Sequence, residues 1–481
     1  MREPTQSEVR HALDQGFDGL RLPEKVIVVG AGLAGLGSAY ELARQGCDVT
    51  VLEATTRAGG RAYTVREPFA DGLYAEAGAM TVTPHCHYAM HYLSELGVEL
   101  EPSDLLNANF SYFLRSRFIQ PEAADLARSG LPLSDKEKGL DVGAMMERYV
   151  RSLSRELQPD LGRPQWTLTD RLAPFDRRSV TEVLKERGAS DAAITLLEPM
   201  FLEMRGGDLD TASALSWLRY ESSPRSLTLA DERWAKIKGG TDRFPAAFAE
   251  HLKGRIHYAK PVVRVTQDDT AARVTFADNG GFHTMTADRV VLTVPFSAMR
   301  RIDLSNARLS QAKHAAIRQL RYASIVRVYL QMRKRFWTSA RTSVSTDLPI
   351  RWVRDATPQL PGPRAILEAL MSGWRAKAVT AMSQEERLRF TLEEVDRIFP
   401  GAKDHFEVGT SVAWDQEPFV EGAYLLPEVG HTALMPAIRR PEGRIHFAGE
   451  HTAYEPNGGS MTYALESAVR AVLELSAPDT P

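Results

Sequence analysis

The chain is poor in cysteine: only Cys47 and Cys86 occur among 481 residues. Two thiols cannot build a disulfide framework, so the fold must hold by packing alone. Cys47 stands where a helical pattern hands over to a strand, the setting of a buried thiol. Charge of one sign is also lacking. Lys plus Arg number 59 and Asp plus Glu 62, a net of −3, which gives no electrostatic footing for nucleic acid or an anionic membrane. No run reaches the roughly 18 uninterrupted apolar residues of a membrane span. The longest candidate, Val26 to Tyr40, is broken by glycines and stops at Glu41. Residues 1–15 mix acids, bases and His without an apolar stretch, so no secretory signal is expected and a cytoplasmic location fits best. Repeats and low-complexity blocks are missing. His85-Cys86-His87 is no zinc site, because adjacent residues point apart and no partner cluster exists. These two histidines read as solvated loop residues, with a substrate channel as the alternative.

What is present is ordinary for a globular protein: 43% hydrophobic and 25% charged residues, in a chain long enough for two or three domains. Lys25-Val-Ile-Val-Val29 reads as a short buried strand, Leu33 to Gln45 as a helix stopped by Gly46, and Asp48-Val-Thr-Val-Leu-Glu53 as a second strand. This is β-α-β in about 30 residues, the length a parallel crossover requires. Gly30-Ala-Gly32-Leu-Ala-Gly35 lies at the strand-to-helix junction. Gly30 permits the tight turn, Gly32 lets backbone approach a pyrophosphate, and Gly35 lets helix and strand pack closely. The helix N-terminus adds free N–H groups and partial positive charge for phosphates. Glu53, eighteen residues past Gly35, can accept hydrogen bonds from ribose hydroxyls.

Further motifs choose FAD over a nicotinamide dinucleotide. In Arg57-Ala-Gly59-Gly60-Arg61 two glycines let the chain pass over the pyrophosphate, and Arg61 can neutralise it. Ile445-His-Phe-Ala-Gly449-Glu450 is a strand running into Gly-Glu, where backbone can meet the ribityl–phosphate linkage. Asn457-Gly458-Gly459-Ser460-Met461 opens the last helix, whose dipole suits the pyrimidine edge of a reduced flavin. A second pyrophosphate fingerprint, which a nicotinamide dehydrogenase would need, is missing. Strand patterns return at Val262–Thr266, Ala272–Phe276, Arg289–Val294, Ile325–Leu330 and Arg444–Ala448. Helical patterns cover about 7–16, Ser179–Arg187, Ala192–Met204, Gln384–Phe399 and Ser460–Leu475.

Together these motifs resemble the flavin-dependent amine oxidase family, which includes monoamine, polyamine and L-amino-acid oxidases. Ala77-Gly78-Ala79-Met80, Gly239-Gly240-Thr241, Thr293-Val-Pro295, Phe336-Trp337, Trp414 and Gly449-Glu450-His451-Thr452 carry the likeness across most of the chain. Tyr74-Ala-Glu-Ala-Gly-Ala-Met80 and the run to Tyr454 are most similar to the amino-acid oxidase branch. The resemblance implies an α/β and α+β fold: a Rossmann-like FAD-binding domain from residues 21–103, 236–302 and 416–475, and a substrate domain of mixed sheet and helices from 104–235 and 303–415. Residues 1–20 form an N-terminal helical extension, and 476–481 a frayed tail. It also implies cofactor contacts from Gly30, Gly32, Ala34, Gly35, Glu53, Ala54, Gly60 and Arg61. Ala79, Met80, Val263, Gly449, Glu450, Gly459 and Met461 complete that set.

The same resemblance assigns the chemistry. Family members remove a hydride equivalent from the carbon beside nitrogen and are reoxidised by oxygen. Trp414 and Tyr424 match aromatic residues that flank the flavin, Tyr424 as one wall of a cage that favours an amine. Ser460 falls where the second cage aromatic often stands, and it can cap the last helix as well, since the two roles can coexist. Ala423 occupies the place of a flavin-linking cysteine, so FAD is held non-covalently. Arg327 stands where the family usually has a lysine that holds water against the flavin, and cannot act as a neutral amine. Thr81 replaces the arginine that grips an amino-acid carboxylate, and Leu370 falls near its tyrosine partner. The expected reaction is oxidation of a C–N bond in a specialised biosynthetic amine or amide, with oxygen as acceptor; a homodimer is left open. Two alternatives stand: an L-amino-acid oxidase whose carboxylate is caught by Arg375 or Arg327, and a non-catalytic FAD-binding module.

Overall fold

Lys25–Val29 is apolar throughout its interior because both of its faces are covered, the environment of a central parallel strand. The computed structural model describes residues 3–17, 19–103, 110–163, 167–222, 233–338, 341–454 and 459–476, with backbone alone for 201–205. Lys25–Val29 pairs in parallel with Asp48–Leu52 on one side and Arg289–Leu292 on the other. Ile256–His257 and Ile445–Phe447 extend this sheet to five parallel strands. Strand alternation splits its core in two. Val26 and Val28 pack with the helices Leu33–Arg44, Arg243–His251 and Met461–Leu475, while Ile27 and Val29 pack toward a three-stranded antiparallel sheet. That smaller sheet is Val262–Gln267, Ala272–Asp278 and Gly281–Ala287. Leu33–Arg44 is buried all round from Leu33 to Leu42, as a helix wedged between two layers must be. It stops where Cys47 N–H donates back to the Leu42 carbonyl across Gly46 (3.1 Å). Cys47 and Cys86 are buried free thiols.

A second sheet has seven strands, in the order Phe406–Ala413, Ile325–Met332, Ala365–Ser372, Trp352–Asp355, Ser343–Thr346, Phe110–Leu114 and Arg117–Ile119. All neighbours are antiparallel except Ser343–Thr346 with Phe110–Leu114. Its two faces differ sharply. Val326, Val328, Leu330, Val353, Leu367, Ala369 and Met371 point back into an apolar layer that includes Val395 and Ile398 of the helix Gln384–Ile398. The front presents Ile325, Arg327 and Tyr329 from one strand, Glu368 and Leu370 from the next, and Trp352 and Arg354 from the third. Beside it, the Phe110–Ile119 hairpin packs under a helical layer that includes Val180–Glu186, Asp191–Arg205 and Ala214–Glu221. Ser179 and Glu182 close a capping box that starts the first of these helices, where its sequence pattern begins.

Element limits match the sequence reading to within two residues; Arg444–Ala448 draws in by one residue at each end, to Ile445–Phe447. There the Arg444 side chain is committed to carbonyls of Asp268, Asp269 and Asp288 rather than to strand geometry. The N-terminal helix Gln6–Gln15 packs Val9 and Leu13 into the same core as the last helix. Ahead of it, Glu3 pairs with Arg439 and the Tyr454 hydroxyl donates to the Pro4 carbonyl. Among the described residues, no helix is long and apolar enough to cross a membrane.

Candidate active site

At the end of Lys25–Val29 the chain turns through Gly30 and enters the helix at Leu33, with Gly32 at the N-cap. The turn is tight. A Cβ on Gly35 would lie 1.9 Å from the Gly30 carbonyl oxygen, so only glycine fits. On Gly32 an added Cβ would meet nothing within 4 Å. Open space thus stands in front of the helix N-terminus, where the first N–H groups lack intrahelical partners. The second glycine loop docks beside the first: Gly59 N–H donates to the Ala31 carbonyl at 2.8 Å. Two glycine-lined segments therefore converge on one seat, with Ala34 buried in the helix's first turn.

Glu53 follows directly on the second strand and is buried. Its carboxylate accepts from Ala31 N–H (2.7 Å), Thr55 N–H (2.9 Å) and the Thr55 hydroxyl (2.7 Å). It therefore braces the turn, with lone pairs left for a ribose. Ala54 comes next, on the way to the second loop. Arg61, the expected counter-charge to the pyrophosphate, also has partners within the protein. Its Nη1 donates to Glu450 Oε1 and to the Ala423 carbonyl, both at 2.7 Å. That bond ties the Gly59–Gly60 loop to the Gly449–Glu450 turn, so the two ends of the chain meet. Val263 lies further off in sequence, half-buried at an irregular register of the Val262–Gln267 strand.

Past Arg61 the chain returns at Ala77–Met80. A Cβ on Gly78 would fall 1.6 Å from the Arg61 carbonyl, and Trp414 Nε1–H donates to the Ala77 carbonyl at 2.9 Å. Trp414 is thus fixed edge-on beneath the turn. Tyr424 is packed by backbone: Cβ atoms on Gly206 and Gly459 would lie 2.5 Å from its hydroxyl and 2.9 Å from its ring. Ser460 and Met461 follow at the start of the last helix. Ser460 occupies the N-cap with extended φ and ψ, but its side chain makes no capping bond, which removes the capping account of this serine. Asn457 and Gly458 lie outside the described residues.

The front of the seven-stranded sheet forms the facing wall. Arg327 lies on an internal, fully buried strand, not on an edge. Its Nη1 donates to the Glu76 carbonyl (2.9 Å) and Met80 Sδ (3.1 Å), and stands 3.2 Å from Glu368 Oε1. Burial alone would weaken its hold on the proton, but Glu368 and Tyr329 reverse this and push its pKa up. Glu368 also binds Arg354, whose Nε and Nη2 both reach Oε2 at 2.8 Å. Leu370 pairs in register with Arg327 and shares an apolar cluster with Trp414 and Tyr424. Thr81 opens a short strand after Met80, half-exposed. His85 and His87 are exposed, and no group of three metal-ligating side chains occurs among the described residues. Arg375 stacks over Trp374 at 4.6 Å, outside this wall.

Glu76, Glu368 and Arg354 were missed from sequence. Glu368 had a signal: it is the one charge in the apolar strand Ala365–Ser372. Glu76 sits on the other side of its own backbone, accepting from Thr64 Oγ1 (2.8 Å) and Thr241 N–H (2.9 Å). Burial pushes its carboxyl up to about 7 in spite of those bonds.

A seat for a dinucleotide, with Trp414, Tyr424 and the polar sheet face beside it, is the arrangement of a flavin-dependent oxidoreductase. The glycine cradle and the helix N-terminus fit FAD. The chain belongs to the flavin containing amine oxidoreductase family, whose model matches residues 33–475. It is 30% identical over 481 residues to a Bacillus subtilis (strain 168) protein with the provisional name L-amino-acid oxidase YobN, covering 96% of each chain. A Mus musculus L-amino-acid oxidase is 29% identical, over 96% of this chain and 72% of that one. In fold, the chain is similar to cyclohexylamine oxidase from Brevibacterium oxydans IH-35A (TM-score 0.76, 19% identity, 94% and 99% covered). Putrescine oxidase bound to putrescine gives a TM-score of 0.75 at 22% identity, with 94% and 98% covered. The protein is therefore an amine oxidase-type enzyme that uses a flavin, and the reading as a non-catalytic module falls.

Two outcomes follow. Glu53→Ala is expected to lose FAD on extensive dialysis, and full retention by absorbance would refute the ribose assignment. Burial holds the Glu76 carboxyl at about 7 in the folded chain, above the usual carboxylate range. The unfolded chain then releases a proton that the folded chain keeps, so stability falls as pH rises from about 4.5 to about 7. Glu76→Gln should flatten the pH dependence of the thermal midpoint across that window; an unchanged slope would place the responsible acid elsewhere.

Proposed function

We propose that this enzyme oxidises the C–N bond of a small amine or amide made in a biosynthetic sequence, giving an imine and hydrogen peroxide. FAD, when bound, takes up the hydride equivalent and returns the electrons to oxygen. It is held non-covalently, because Ala423 offers no nucleophile and its carbonyl is engaged by Arg61. The nucleotide seat belongs to residues 21–103, 236–302 and 416–475, and the substrate side to 104–235 and 303–415. In this reading Tyr424 presents its ring face to the amine. Trp414 holds the Ala77 carbonyl and so the turn above it. Ser460 leaves one side of the pocket wide, since its side chain is small and makes no capping bond. Ile325, Leu370 and Val412 keep water from the reacting carbon.

The observation that carries the reading is the wall around Thr81. A hydroxyl and the apolar Leu370 stand where a carboxylate clamp would need a guanidinium and a phenol, and the neighbouring Arg327 is engaged by Glu368. A free α-carboxylate would be poorly compensated there. A second reading, an L-amino-acid oxidase, is favoured by the named relatives and by Arg327 standing on the pocket face. Arg375 supports it less, lying beside Trp374.

A peroxide assay over amines, amides and L-amino acids separates the two. Turnover confined to substrates without an α-carboxylate is expected; turnover of common L-amino acids would replace the first reading by the second. Arg327→Lys supplies an amine able to hold water, and faster reoxidation by oxygen is expected in stopped flow. An unchanged rate would mean that residue 327 does not reach the flavin.

A further inference from the structure

The front of the seven-stranded sheet holds three charged side chains with almost no exposure: Arg327 at 10%, Glu368 at 3% and Arg354 at 3%. They come from three adjacent strands and meet at one carboxylate. Glu368 Oε2 takes Nε and Nη2 of Arg354, while Oε1 faces Arg327 Nη1 at 3.2 Å. That second contact is an ion pair whose angle falls short of a hydrogen bond, so Oε1 keeps spare accepting capacity. Both guanidiniums also reach the sulfur of Met80, at 3.1 and 2.9 Å. The Tyr329 hydroxyl joins Arg327 on the Glu76 carbonyl at 2.8 Å. The stretch Glu76–Met80 is therefore held from below by the cluster, on the side where Trp414 and Tyr424 stand.

The charge does not balance. Two guanidiniums share one carboxylate, which leaves one positive charge in a wall that water barely reaches. A buried set of this kind is commonly worth less to stability than apolar side chains of the same volume. One nitrogen of each arginine, Arg327 Nε and Arg354 Nη1, is buried with no partner among the described residues, a further cost. A structural clamp would need only one arginine. An anion facing this wall would complete it, and two-electron reduction leaves negative charge on a flavin.

We propose that Glu368 and Arg354 are positioning residues which fix the orientation of Arg327 and set the net positive charge that the pocket wall turns toward the flavin. This rests on the reading that seats the flavin against the Gly78–Met80 turn. Glu368 decides which edge of Arg327 is engaged and which is left for the pocket. Arg354 supplies the surplus charge, one strand further away, without itself needing to touch substrate.

The test is the midpoint potential of the purified holoenzyme, measured by anaerobic titration against a reference dye. Glu368→Gln removes the single negative charge and is expected to raise the potential. Arg354→Met leaves a neutral Arg–Glu pair and is expected to lower it, while Arg354→Lys keeps the charge and should stay near wild type. Shifts of opposite sign are the signature, because mere loosening of the wall would move both variants the same way. Equal shifts, or none, would overturn the proposal. If either variant fails to hold flavin, Glu368→Asp and Arg354→Lys keep the charge and change only the geometry. These are expected to retain the wild-type potential but reoxidise more slowly, and an unchanged reoxidation rate would overturn the positioning role. A wild-type protein that binds no flavin would instead sink the functional reading beneath.

Discussion

Backbone can approach a phosphate group closely only where no side chain intervenes, and the rest of this molecule is arranged around meeting that condition twice. The Gly30–Gly35 turn meets it at a helix N-terminus, and the Gly59–Gly60 loop meets it alongside, bonded to the first through Ala31. Each glycine contact then constrains its surroundings. Gly35 lets the helix Leu33–Arg44 press onto the strand, and Gly37 lets Leu465 and Ala468 of the last helix lie against it. Gly78 lets the chain pass the Arg61 carbonyl, which sets the height of the Met80 turn above the second sheet. Because Arg61 is held by Glu450 and Ala423, the seat is built from both ends of the chain at once.

Much of this was legible in the amino-acid order, for a physical reason. The β-α-β unit is local: its strand, turn, helix and acid lie within about 30 residues, so spacing carries the geometry. Glu53 was placed correctly at the strand end, but its bonds to Ala31 and Thr55 depend on loop closure and could not be seen. Arg327 stood out as a charge amid apolar neighbours. Its partners did not, because Glu368 and Arg354 join it only through the register of three strands, and sequence distance hides register. Ser460 illustrates the opposite error. Serine before a helix suggests a side-chain cap, yet the backbone alone makes the turn here. The region from 105 to 235 was the hardest to read, since its short helices are separated by Pro and Gly and their faces are shared among several layers.

The seven-stranded sheet explains how an enzyme pocket and a stable core can share the same strands. Alternation sends Val326, Val328 and Leu330 backward into a dry layer and Arg327 and Tyr329 forward against the Glu76 carbonyl. The rear face secures the backbone tightly enough that the front can carry buried charge. A loop could not hold those guanidiniums in register. Identity near 20% with the solved amine oxidases named above still leaves the fold intact.

The order of strands in the parallel sheet has a consequence for how the protein is made. The first strand, at residues 25–29, needs as its neighbour one at 289–292, which in turn needs one at 445–447. The helix that covers them ends at Leu475, and the N-terminal segment is fastened to Arg439 and Tyr454. The edge of this sheet therefore stays open until the strand at 445–447 has been made. A cradle that needs Glu450 beside Arg61 is complete only once that distant stretch has joined the glycine loop.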